Sequence, residues 1–384
     1  MKHRENAGFE RAKRYFYIDA LRVLAILLVF VYHVNMIFVA EWDWHIKADS
    51  TSNVLMEINY WMQFFRMPLL FFVSGFISCI LLERLSAQRF ALSRFKRLII
   101  PTVIWTFVLV APQIYFERKL EGAEFNYVEF YQSFLTFELW PAGNFHWLHL
   151  WFIPYLFAYN LLSIPVFRSI QRKKTEFSIS HTKLSLCIAA FVCVAVTPYT
   201  FLSVRFPVTY DFINDYARHA QFIPFVLAGL FAYRFEPIMD YLEAKRVVLL
   251  RAAFLLIIII NVVRWNGWEP KALWDDWLSH PVSYFFILLL NVNSWMWVLA
   301  ILGYGKRYLN KGSELLTYSN KAVYPFYILH QTVIVTVGYY VVQTNDGAVF
   351  KYMFILGACF VISMGIYHLY IRPFKSMRIL FGSK

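Results

Sequence analysis

Residues 15–38 read YFYIDALRVLAILLVFVYHVNMIF, an apolar run that carries Asp19, Arg22, His33 and Asn35. About 20 apolar residues suffice for a helix to cross the hydrocarbon core of a bilayer, and this run is long enough. A polar group held in hydrocarbon is costly unless it is paired or faces a wet cavity, so ionisable residues at that depth are functional candidates. Arg22 and His33 are eleven residues apart. That is close to whole helical turns, so on one helix they differ by about 20° in azimuth and about 16 Å in height. Asp19 precedes Arg22 by three residues, the spacing of an intrahelical ion pair. Asn35 faces roughly the other side. The stretch predicts a membrane helix with one polar interior face, charged near its start and bearing an imidazole near its end.

The rest of the chain repeats the apolar pattern. Of 384 residues, 59% are apolar and 16% charged, against about 25% charged in soluble proteins, and the mean hydropathy is +0.49. Continuous apolar runs, rather than alternating ten-residue segments, exclude an outer-membrane barrel and predict an all-α polytopic integral membrane protein. The first span is too long, and its flanks too unlike a small-residue cleavage site, for a removed signal peptide. Ten spans are expected: 16–39, 58–82, 98–116, 147–167, 184–204, 219–235, 247–264, 281–302, 315–341 and 349–371. The expected organisation is a cytoplasmic N-terminal segment 1–15, a transmembrane domain 16–371 and a cytoplasmic tail 372–384.

Charge assigns the sides. Of the 37 Lys and Arg, eight (Lys47, Arg118, Lys119, Arg205, Arg218, Arg264, Lys271 and Lys351) fall in one set of loops, and Arg22 and Arg66 lie within spans. The remaining 27 gather at the two termini and the alternate loops. The positive-inside bias therefore predicts a multi-pass membrane protein with both termini in the cytoplasm and the loops poor in Lys and Arg outside. It also accounts for the net charge of +13 with membrane lipids and without a nucleic-acid partner. Cys79, Cys187, Cys193 and Cys359 lie in apolar stretches without metal-ligand spacing and read as small packing residues.

Several residues stand out chemically, each with a plainer structural reading. An imidazole such as His33 can take a proton from a hydroxyl and return it to a leaving group, or can be a buried side chain bonded to a neighbouring helix. Asp19 and Arg22 either form a structural pair or contact separate groups. Arg66, in QFFRMPLLFFVSGF, lines a cavity or anchors the span at its rim. Arg94, Lys96 and Arg97 precede Pro101 on the basic side, where guanidinium groups can grip phosphate oxygens but basic residues are expected anyway. The loops poor in Lys and Arg hold Trp42, Trp44, Trp140 and Trp147 with Asp43 and Glu138. These serve as an interfacial belt or as stacking surfaces and hydrogen-bond partners for a sugar. His45 is a rim residue or an acceptor contact. His146 and His149 lack a third metal ligand, so no metal is expected, and His330 is expected to be hydrogen-bonded inside the bundle.

These same stretches resemble the acyltransferase-3 family of membrane acyltransferases: YFYIDALRVLAILLVFVYH at 15–33, FFRMPLLFFVSGF at 64–76, RFKR at 94–97 before Pro101, HLWFIPYL at 149–156 and YPFYILHQ at 324–331. Arg22 and His33 match its arginine, ten-residue gap, histidine motif, and Arg94 and Arg97 its arginine pair. WHI at 44–46 with INYWMQFFRM looks more like the branch that succinylates periplasmic glucans. The resemblance implies transfer of an acetyl or succinyl group from cytoplasmic acyl-CoA (acetyl-CoA or succinyl-CoA) to a hydroxyl of an extracytoplasmic saccharide or glucan. On that reading Arg94, Arg97, Lys96 and Arg22 bind the CoA, and His33, with Arg22 and Asp19, forms the catalytic set. Arg66, His149, His45, Glu138 and Trp44 contact the substrate, with Arg66 and His149 as candidate donors to the oxyanion. The competing reading is a transporter or flippase of a lipid-linked saccharide or small anion, which would need a saccharide-wide path through the bundle.

Overall fold

The computed structural model describes residues 14–171 and 179–383, so most of the expected segment 1–15, part of the loop 168–183 and Lys384 lie outside the described residues. No strand forms among the described residues; Leu139 and Phe145 make an isolated bridge. The long helices are α1 (Phe16–Met36), α2 (Asn53–Leu82), α3 (Ala87–Leu120), α4 (Leu148–Gln171), α5 (His181–Arg205), α6 (Tyr216–Arg234), α7 (Glu236–Trp265), α8 (Pro281–Tyr308), α9 (Glu314–Val342) and α10 (Ala348–Ile371). Nine helical segments among the described residues are long and apolar enough to cross a membrane. The remaining one of the ten expected spans, 219–235, forms α6, which carries Arg218, His219, Gln221 and Arg234. It is less apolar because much of its surface meets protein rather than lipid.

That packing is close. A Cβ on Gly75 of α2 would overlap the Val226 carbonyl oxygen of α6, and one on Gly229 of α6 would overlap the Phe72 carbonyl oxygen of α2. Small residues of this kind let two helix backbones approach. Gly75→Leu is therefore expected to destabilise the fold by at least about 3 kcal/mol, the upper part of the overpacking range, because backbone cannot move aside as a side chain can. Unfolding in detergent, with Gly357→Ala in open space as control, would measure it. A Gly75→Leu protein as stable as that control would contradict this packing.

α1 is the centre of the bundle, in contact with α2, α8, α9 and α10. Its Asn35 donates to Asn59 Oδ1 (2.9 Å) and accepts from Tyr352 Oη (2.9 Å), and Asn59 donates to the Tyr32 carbonyl (3.1 Å). Asn35 thus fastens α1 to α2 and α10. Two irregularities shape the interior. α2 breaks over residues 63–65, where the Ser294 hydroxyl donates to the buried Phe64 carbonyl, and Arg66 opens the second half. α3 contains two π-helical turns, Phe95–Ile99 and Thr106–Val110, a wider coil often found at functional sites.

The C-terminal segment differs from a simple tail. After a short helix, Lys375–Leu380, Phe381 is buried against Trp105 with ring centroids 4.1 Å apart. Trp105 Nε1 donates to the Leu380 carbonyl (2.9 Å) and Arg97 Nε to the Gly382 carbonyl (3.0 Å). Gly382 has φ +60° and a Cβ there would overlap the Arg97 carbonyl oxygen, so this close approach needs glycine.

Candidate active site at the two ends of the first helix

The larger cavity, about 950 Å³, lies around the C-terminal end of α1 and is lined by His33, Trp44, His45, Arg66, His146 and His149 among others. Its roof is the segment after α1. Lys47 Nζ donates to the carbonyls of Met36 (3.1 Å), Val39 and Trp42 (2.9 Å), so one ammonium closes the helix's C-terminal end, where free carbonyls attract positive charge. Burial pulls this ammonium's pKa down from the usual lysine value, and Asp43 opposes the shift. The fold back continues with Ala48 N–H to Ile37 O (2.9 Å) and Ser52 N–H to Phe38 O (2.7 Å). This brings Trp44 to His33, ring centroids 6.1 Å apart and planes within 13°.

His33 is fixed by a chain of hydrogen bonds that sets its tautomer. His330 Nδ1 lies 2.6 Å from the Tyr327 carbonyl oxygen, which can only accept, so His330 carries its proton on Nδ1. In the neutral ring His330 Nε2 then accepts, and its partner at 2.8 Å is His33 Nδ1, which must donate. The lone pair of His33 is left on Nε2, in a ring that lines the cavity. His330 is fully buried and hydrogen-bonded inside the bundle, as expected.

The other histidines are fixed differently. His149 Nε2 donates to the Ile328 carbonyl (3.1 Å) and its Nδ1 faces Gln113 Nε2 at 3.5 Å. Both nitrogens are engaged within the bundle, so His149 has no donor left for an oxyanion and borders the cavity as a wall. His146 Nδ1 accepts from Leu148 N–H (2.8 Å), which puts its proton on Nε2. Burial, helped by His45, pushes its pKa down to about 4, so it stays neutral near pH 7. His45 Nδ1 is bonded to Glu117, whose other oxygen accepts from Trp140 Nε1 (2.8 Å). Glu117, Trp140 and His330 were not singled out with His33 and His45 by sequence spacing; position 117 is 72 residues from 45 and 330 is 297 from 33. Glu138 is exposed and does not line the cavity; its backbone carbonyl accepts from Phe145 N–H (2.8 Å), in the turn that carries Trp140. Arg66 lines the cavity with its Cζ 3.2 Å from the Tyr32 ring centroid, so it is not a rim anchor.

A second cavity, about 380 Å³, lies at the other end of α1 and is lined by Arg22, Arg94, Arg97, Lys321, Asn320 and Tyr324, with no carboxylate among the described residues of its lining. Arg22 Nη2 donates to Asn320 Oδ1. Arg94 Nε is buried without a hydrogen-bond partner. The backbone of Gly382 and Ser383 completes one wall. Lys96 is exposed and outside this lining, because sequence neighbours of Arg97 on a helix point elsewhere. Asp19 is also outside it. Its carboxylate pairs with Arg14 at 3.0 Å and only loosely with Arg22 at 3.9 Å. Arg22 and Asp19 stand about 16 and about 21 Å along the helix from His33, so neither shares its reacting position; Arg22 belongs with Arg94 and Arg97. Tyr327 lines both cavities and donates its hydroxyl proton to the His149 carbonyl.

Comparison with known proteins gives a family. The acyltransferase domain family matches residues 15–368. The chain is similar to the glucans biosynthesis protein C of Escherichia coli strain SMS-3-5 / SECEC, 24% identical over 389 residues that cover 97% of this chain and 95% of that protein. Its similarity to the proteins of that name in Escherichia coli strain K12 and Shigella dysenteriae serotype 1 is the same in identity and coverage. No solved structure matches it.

Proposed function

The chain belongs to the acyltransferase family whose domain covers residues 15–368, and from that premise we propose that it is a multi-pass O-acyltransferase of the bacterial inner membrane. It is an enzyme that transfers groups other than aminoacyl groups. In the proposed reaction an acetyl or succinyl group passes from cytoplasmic acyl-CoA to a hydroxyl of an extracytoplasmic saccharide. The glucan named in its relatives is the acceptor class we assign. One observation carries this reading: two cavities, one lined by His33 with Trp44 and Trp140 and the other by Arg22, Arg94 and Arg97, lie at the ends of α1 and share Tyr327 as a wall.

The cavity of Arg22, Arg94 and Arg97 suits the phosphates of CoA, which guanidinium groups bind through charge-assisted hydrogen bonds. The pantetheine arm then runs along α1 past Tyr327, bringing the thioester towards His33. There the acceptor hydroxyl gives its proton to His33 Nε2 as its oxygen attacks the thioester carbon. The C–S bond breaks, an ester forms, and the proton passes to the departing thiolate. The imidazolium keeps the Nδ1–H bond to His330, so no side chain has to rearrange between the two proton transfers. Trp44, Trp140 and the Nε2–H of His146 offer stacking faces and a donor for the saccharide. A transporter would need the two cavities to merge into a saccharide-wide path, and Tyr327 standing between them supports transfer instead.

Proteoliposomes of known orientation test the direction. Ester product is expected when labelled acyl-CoA is on the Arg94 face and a glucan oligosaccharide on the His33 face. Product only with the reverse placement would overturn the sidedness, and no ester from any acyl-CoA would overturn the acyl-transfer reading.

A further inference from the structure

The larger cavity has in its wall two guanidinium groups, Arg66 and Arg218, that no carboxylate among the described residues pairs with directly. Arg66 opens the inner half of α2 and lies on the Tyr32 ring. Arg218, in the first turn of α6, donates from Nη1 to Gln221 Oε1 (2.6 Å) and from Nη2 to Tyr210 Oη (3.2 Å). The Nε of each is buried without a hydrogen-bond partner, and among the described residues neither makes an ion pair.

The carboxylates nearby are otherwise engaged. Glu117 is held by His45 and Trp140, and Glu121 by Arg118 at 2.9 Å. Asp43 and Asp49 line the cavity but are exposed, and neither pairs with Arg66 or Arg218. Asp215, one turn before Arg218, accepts from Tyr155 Oη at 2.7 Å. Lys47 is bound to backbone carbonyls. Two guanidinium groups set into a cavity wall without a carboxylate in ion-pair contact are free to take the oxyanion of a ligand as their direct partner.

We propose that Arg66 and Arg218 form a carboxylate-binding subsite, and that it takes the free carboxylate of a dicarboxylic acyl group while that group is being transferred. The inference rests on the acyl-transfer reading and adds the charge of the transferred group. Position selects the acyl chain. Arg66 Cζ is 3.2 Å from the Tyr32 ring centroid, and that centroid is 5.6 Å from the centroid of His33. A carboxylate held by Arg66 is therefore within the length of a short acyl chain from a carbonyl under attack beside His33. Tyr32, Gln221 and Tyr210 hold the guanidinium groups without neutralising them, which leaves a charged site of fixed geometry.

The test compares two four-carbon donors that differ at the far end, succinyl-CoA and butyryl-CoA, with purified protein and a neutral glucan oligosaccharide. The parent protein is expected to prefer succinyl-CoA by about 10–10²-fold in kcat/KM, the effect of charge-assisted hydrogen bonds to one carboxylate. Arg218→Gln keeps a polar side chain and removes the charge, and is expected to shrink that ratio by about tenfold or more. Arg66→Gln provides an independent second variant should the first fail to fold. Equal use of both donors by the parent would overturn the subsite while leaving acyl transfer standing. Transfer of neither donor would overturn acyl transfer and the subsite together. A second arm replaces the neutral acceptor with one bearing a carboxylate. If the variants erase a preference for that acceptor and leave the donor ratio unchanged, the anion belongs to the saccharide and the assignment to the acyl chain falls.

Discussion

His33→Gln is expected to lower single-turnover acyl transfer by about 10²–10⁴-fold, the contribution of a positioned general base, while acyl-CoA binding and folded yield stay near those of the parent. Glutamine has similar bulk and polarity. Its amide can donate to His330 Nε2 as His33 Nδ1–H does now, so a purely structural role would be rescued. It cannot take a proton from a hydroxyl near neutral pH, so a base would not be rescued. Transfer above about a tenth of the parental rate would sink the base assignment. The hydrogen-bond chain adds a second readout. His330→Gln retains an acceptor for His33 Nδ1–H, whereas His330→Leu removes it and frees the His33 ring to place its proton on Nε2. The Leu variant should therefore lose more rate than the Gln variant at equal acyl-CoA affinity. Folded fraction, acyl-CoA binding and transfer must be read on the same preparations, with the donor saturating.

Much of this arrangement was legible in the sequence, for identifiable reasons. An apolar span interrupted by ionisable residues can hide them only in the interior, so Arg22 and His33 marked α1 as the helix around which the others pack. Arg94 and Arg97, three apart on one helix, share a cavity, as residues at that spacing lie on one face. Contacts made by chain folding were not legible. The bond between His33 and His330 joins α1 to α9, and the one between His45 and Glu117 joins a loop to the last turns of α3. The three-residue spacing of Asp19 and Arg22 does give an ion pair at 3.9 Å, but it could not show that Arg14 on the preceding segment takes the same carboxylate at closer range, 3.0 Å. Glu138 looked like a sugar contact because it sits among aromatic residues, yet the turn that delivers Trp140 leaves it exposed. The return of Gly382 to Arg97 depends on a backbone conformation with positive φ. A glycine permits that conformation, but one sequence does not reveal where the chain uses it.

Removing both guanidinium groups at the other end of α1, in the double variant Arg94→Ala with Arg97→Ala, is expected to weaken acyl-CoA binding by about 10²–10⁴-fold. Each charge-assisted hydrogen bond to a phosphate contributes roughly 1.5–3 kcal/mol, and two lost together fall in that range. The effect on folding should be smaller, because neither residue makes an ion pair among the described residues. Arg94 Nε has no partner to lose, and Arg97 gives up one bond to the Gly382 carbonyl. That last bond needs a control, since it ties the C-terminal segment over the cavity. Arg97→Lys keeps the charge but lacks the guanidinium fork, so it separates loss of positive charge from loss of the tie. Calorimetric titration of detergent-solubilised protein with acyl-CoA, and with CoA lacking the acyl group, would read the affinities. Because the arginines contact phosphate rather than thioester in this scheme, both ligands should weaken by the same factor. Transfer at saturating acyl-CoA should fall much less than affinity, since His33 and its hydrogen bonds lie about 16 Å away along the helix. Unchanged affinity in the double variant would remove the phosphate assignment, and a loss confined to saturated transfer would move these arginines from donor binding to a later step.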